Sequence, residues 1–280
     1  MGVIHSCLYD VSHWSVQESG QAYAAIAGVF AAVMLPLLGL FLSNPRTQET
    51  DSAVGRRIAV FIFGAFIFAL TSAFFYGVIS GDNVCIRANL LDGPASLLLG
   101  MSASLSFVAL CWIVRLHHGD EHIVDIFGEY ALLGIGFASA EIFFTFMQMF
   151  LSVRGSIDSW PRNPLPSLVL GCPAALIVSI SIVLKYFRIN MEWSAQFHRH
   201  ILPITYLASI ALGLVLLNGG YTKPSQSGVW IAVILIYTYL FGTAQAILIA
   251  CIPRRTKREF RESNQLKDLA FGIPGPIHRP

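Results

Sequence analysis

The stretch Ile126–Ser152, IFGEYALLGIGFASAEIFFTFMQMFLS, decides how the rest of the chain is read. Its 27 residues contain no Lys, Arg or His, and it exceeds the roughly 20 apolar residues that an α-helix needs to cross a hydrocarbon core about 30 Å thick. Six other runs come close to that length or pass it: 21–43, 57–80, 93–115, 165–187, 200–218 and 228–251. The run 200–218 opens with His200 and carries Pro203, but its flanks leave no soluble domain to which it could belong.

Composition agrees. The chain is 55% hydrophobic and 12% charged, about half the charged fraction of a soluble domain. Backbone amides in lipid must be satisfied within the protein, which leaves helices and closed barrels. Ten-residue segments of alternating polarity, the mark of a barrel, are absent. The expected fold is an all-α membrane protein: one seven-transmembrane-helix bundle over residues 1–252, followed by a basic, partly disordered tail over 253–280.

Orientation follows from Lys and Arg, which accumulate on the cytoplasmic side of short loops. The 1–2, 3–4 and 5–6 loops and the tail hold fourteen of the eighteen cations, and the other side holds Arg87, Arg154, Arg162 and Lys223. This places the N-terminus outside and the C-terminus in the cytoplasm, in a plasma or bacterial inner membrane. The first twenty residues contain Asp10 and Glu18 but no Lys or Arg, so the charged start of a cleavable signal peptide is missing and the segment is expected to be retained. Cys7 and Cys85 then share the outer side, where a disulfide is permitted, although pairing cannot be read from sequence. The opening Met1-Gly2-Val3-Ile4-His5-Ser6 also fits an N-myristoylation pattern. Acylation there would need a cytosolic N-terminus, against the charge asymmetry.

Pro253-Arg254-Arg255-Thr256-Lys257-Arg258 follows the last span, where each cation near an anionic leaflet contributes about 1 kcal/mol. It reads first as a topological anchor, and second as a docking site for anionic lipid or a cytoplasmic partner. The lipid bilayer is the principal partner. Nothing points to nucleic acid or to a cofactor.

Within the fourth span Glu141 stands in Ala138-Ser139-Ala140-Glu141-Ile142-Phe143-Phe144, with no cation within a helical turn. An ionisable group at the bilayer centre costs about 2.5–3.5 kcal/mol on insertion scales, so it is expected to face the bundle interior. Gly134, Ala138, Glu141, Thr145 and Gln148 recur every three or four residues and share one helical face. Leu132, Ile135, Phe143 and Phe146 would then face lipid or apolar neighbours. Two roles are open to Glu141: proton or cation binding in a transport cycle, and a neutral hydrogen bond between helices. Small-residue stripes at Ser96, Gly100 and Ser104, at Thr205, Ser209 and Gly213, and at Thr238, Gly242 and Gln245 read as packing seams. Thr238 and Gln245 are the residues that would line a pathway with Glu141, Thr145 and Gln148.

The inner loops carry His117, His118 and His122, and His198 and His200, beside Asp120, Glu121 and Asp125. Imidazole and carboxylate could hold a divalent metal or sense pH, but no spacing matches a named metal signature. A solvated turn of mixed charge is the simpler reading, and no metal is assigned.

In topology alone the chain resembles seven-helix receptors, microbial rhodopsins and sugar exporters of three-plus-one-plus-three helices. The seventh span, Val229–Ala250, has no Lys for a retinal Schiff base. Pro36 sits late in the first span and Pro173 early in the fifth, which breaks the repeat of the exporters. No span combines His and acid at ligand spacing, so enzyme activity is not expected. The leading expectation is a small solute or ion carrier or channel-like protein. The alternatives are a sensor or signalling receptor and an accessory subunit of a larger complex.

Overall fold

A computed structural model describes residues 16–43, 52–82, 85–117, 121–153, 165–186, 198–218 and 227–253. These form seven α-helices: α1 (Val16–Ser43), α2 (Ser52–Gly81), α3 (Cys85–His117), α4 (Glu121–Val153), α5 (Leu165–Tyr186), α6 (His198–Leu217) and α7 (Ser227–Cys251). Among the described residues six of them are long and apolar enough to cross a membrane. α5 is a helix of 22 residues, and its described apolar stretch is Ala174–Tyr186. The protein is a multi-pass helical membrane protein. The basic tail beyond Pro253 and the acylation motif at Gly2 lie outside the described residues.

Pro36, Pro94 and Pro203 lie inside α1, α3 and α6. Transmembrane helices tolerate such residues because neighbouring helices and Ser or Thr side chains re-satisfy the freed backbone groups. α3 is the central element, packed against α1, α2, α4, α6 and α7. Its Leu90, Leu91, Leu97, Leu98, Met101 and Leu105 are completely buried. α1 is peripheral and packs mainly on α2.

Hydroxyl groups join the helices where apolar burial cannot, because lipid is as apolar as the core. Ser72 Oγ on α2 donates to the Ala95 carbonyl on α3 at 2.8 Å, and Ser102 Oγ on α3 donates back to the Ala65 carbonyl at 2.6 Å. The small-residue stripes are seams as expected. Gly100 receives Ile142, Gly213 receives the Phe75 ring, and Gly242 receives Ala174, leaving no room for a Cβ at the first two.

Of the two surroundings open to Leu132, Ile135, Phe143 and Phe146, the structure shows apolar neighbours: Leu132, Ile135 and Phe146 are buried, while Leu133, Phe137 and Phe144 on α4 face outward. Phe143 and Phe146 pack edge-on against Phe241 of α7, with ring centroids 5.8 and 6.2 Å apart. The core face of α4 is thus the one bearing Ile135, Ile142, Phe146 and Met149.

Candidate functional site: a carboxylate groove beside the central helix

That rotation of α4 settles where Glu141 goes. It lies one residue before Ile142, about 100° round the helix, and is exposed. The expected buried carboxylate is therefore corrected: Glu141 sits on the flank of α4 and not in the core.

Exposure does not isolate it. On α3 the less buried residues Asp92, Ser96, Leu99, Ala103, Ser106 and Leu110 recur at spacings of four and three, one continuous stripe. Contacts bracket this stripe on both sides. Toward α4, Gly100 meets Ile142 and Phe107 meets Gly134. Toward α1 and α2, Ser106 Oγ lies 3.7 Å from Met34 Sδ, and Ser72 reaches Ala95. The stripe is the floor of a shallow groove with α1 and α2 on one wall and α4 on the other.

The polar groups gather toward one end of it. Tyr76 on α2 and Ser96 share a 2.8 Å hydrogen bond, and Ser96 Oγ donates to Asp92 Oδ1 at 3.2 Å. The Tyr23 ring on α1 stacks on Tyr76 at 5.1 Å. Glu141 is close enough for its charge to act on both Asp92 and Tyr23. Among the described residues neither Asp92 nor Glu141 pairs with a cation. Arg87, the nearest cation along α3, is taken by Asp82 through 2.5 and 2.7 Å contacts.

Asp92 was missed by sequence reasoning. The expected third span begins at 93, one residue after it. The helix runs through Pro94 from Cys85 and carries the carboxylate within it. An acidic residue adjoining the apolar run 93–115 was the available signal.

The remaining expected residues divide between two places. Thr145 is nearly buried on α4 and its Oγ1 donates to the Glu141 backbone carbonyl at 3.2 Å. Thr238 and Gln245 are buried on α7. Thr238 Oγ1 donates to the Ile234 carbonyl of its own helix at 2.7 Å, and Gln245 Nε2 donates to Met101 Sδ at 3.6 Å. Met101 lies on the opposite side of α3 from the groove stripe, so Gln245 and Glu141 do not share one path. Gln245 Oε1 has no hydrogen-bond partner among the described residues. The side chain of Gln148 lies outside the described residues.

Cys7, His118 and the side chains of Cys85, His117 and His198 are likewise outside them, so neither the disulfide nor the full histidine set can be placed. His122 and His200 are exposed. Among the described residues no three His, Cys, Asp or Glu side chains come together as metal ligands would.

Compared with protein-family models, with curated proteins and with solved structures, the chain matches none.

Proposed function

We propose that the protein is a small carrier in which Asp92 and Glu141 take up a proton or a monovalent cation in the groove beside α3. Two carboxylates on adjacent membrane-embedded helices, within reach of each other's charge and without a cation partner among the described residues, carry this reading. Two like charges on neighbouring helices repel each other, so a shared proton or a bound cation relieves them both. Transporter sites of this kind lie among spans, where helices can rock about a fixed centre. The excess of Lys and Arg on one set of segments supports an outer N-terminus and a cytoplasmic C-terminus within one bundle.

The test is flux into proteoliposomes under an imposed pH or cation gradient, with entrapped fluorescent indicators. Glu141→Gln and Asp92→Asn should each reduce flux to that of empty liposomes while leaving the protein folded. Unchanged flux in both variants contradicts the reading.

Exposure of Glu141 favours a second reading, an accessory subunit whose partner helix covers that carboxylate. Purification in mild detergent separates the two: a subunit arrives with a stoichiometric partner that Glu141→Gln releases. The sensor or receptor alternative gains no specific observation.

A further inference from the structure

At the other end of α3 from Asp92, four helices close around one indole. Trp112 Nε1 donates to the Cys251 carbonyl at 2.9 Å, and Lys185 Nζ, nearly buried at the end of α5, donates to the Ala250 carbonyl at 3.0 Å. The final carbonyls of a helix lack partners within it, and side chains from α3 and α5 supply them for α7. The Trp112 ring is thereby held in a fixed plane.

Two guanidinium groups stand over that ring. Arg57 from α2 lies 5.7 Å from its centroid and Arg115 from α3 lies 5.5 Å away. Both side chains are exposed, and neither has a carboxylate partner among the described residues. Stacking on an aromatic face attracts each cation but leaves the two charges repelling each other. The negative end of the α7 dipole amounts to only about half a charge, and its last carbonyls are already occupied. Among the described residues no carboxylate balances the pair.

Position and shape say which anion. The pair lies at helix ends, where headgroups sit, and Arg presents a planar fork matched to phosphate oxygens. One and two turns deeper on α2, Val60 and Phe63 are exposed, an apolar track below Arg57 suited to an acyl chain. We propose that Arg57 and Arg115, both held against the Trp112 ring, form a binding site for the phosphate headgroup of an acidic phospholipid in the leaflet at this end. The site is separate from the groove.

The experiment uses the full chain in nanodiscs. Brominated phosphatidylglycerol should quench tryptophan emission at lower mole fraction than brominated phosphatidylcholine, and salt should weaken the preference. In native mass spectrometry the wild type should retain phosphatidylglycerol, and R57Q/R115Q should weaken that retention about thirtyfold, as expected for two surface cations. R254Q/R255Q/K257Q/R258Q should leave it unchanged. Equal quenching by the two brominated lipids, which needs no variant, overturns the proposal. So does undiminished retention in R57Q/R115Q, loss of retention in the tail variant, or saturation of the site by inorganic phosphate in purely phosphatidylcholine discs.

Discussion

Ser96 Oγ stands 3.2 Å from Asp92 Oδ1, one turn further along α3, and hydrogen-bonds to it. The Tyr76 hydroxyl lies 2.8 Å from the same Ser96 Oγ, and either hydroxyl can be the donor. The result is a hydrogen-bonded cluster of Tyr76, Ser96 and Asp92, spanning α2 and α3.

Breaking this cluster should change function more than stability. Tyr76→Phe keeps the ring stacked on Tyr23 but removes the hydroxyl, at about 0.5–1.5 kcal/mol for one neutral hydrogen bond. The pH dependence of flux should shift in Tyr76→Phe and in Ser96→Ala, while both remain folded. Identical pH profiles for variants and wild type would show that the cluster is only structural.

Lys185 is a cation used as a cap. Lys185→Met preserves the stem and removes the donor to the Ala250 carbonyl, leaving that acceptor buried. A loss of about 1–3 kcal/mol is expected, read as earlier unfolding of the purified protein in a denaturant titration. A variant as stable as the wild type would mean that water replaces the ammonium group without cost.

Gly213 faces the flat ring of Phe75, where a Cβ would overlap ring atoms. Gly213→Ala should destabilise by about 1–3 kcal/mol, the usual cost of overpacking. The double variant with Phe75→Leu should recover part of that loss. Additive effects in the double variant would contradict direct contact between α6 and α2.

Gln245 Oε1 is buried without a partner among the described residues. Replacement by Leu removes an amide whose burial costs about 1–3 kcal/mol when unsatisfied, so Gln245→Leu should be neutral or stabilising. A marked loss of stability would reveal a partner for that oxygen, such as an internal water.

The helices were legible because hydrocarbon imposes a length, and runs such as 126–152 and 57–80 have little other way to satisfy their backbones. The seams at Gly100, Gly213 and Gly242 were legible for a related reason, since small residues are what close packing in lipid requires. Which face of α4 turns inward was not. In a soluble helix polar residues mark the outside. In lipid, Leu133 and Phe137 outside are as apolar as Ile135 and Phe146 inside, so the pattern around Glu141 carried no reliable sign. Asp92 was hidden because the uncharged run taken as the third span begins one residue after it. Lys185 was read only as a topological cation, because its partner, a carbonyl of α7, belongs to a helix more than sixty residues further on.

The central claim is that Glu141 looks into a hydrated groove it shares with Asp92. The most direct measurement is thiol labelling of Glu141→Cys, in a chain whose native cysteines are replaced, in intact membranes. The account predicts modification by a cationic, membrane-impermeant methanethiosulfonate reagent, slowed when Asp92→Asn removes the neighbouring negative charge. Modification only by a lipid-soluble maleimide would place position 141 against acyl chains and contradict the account.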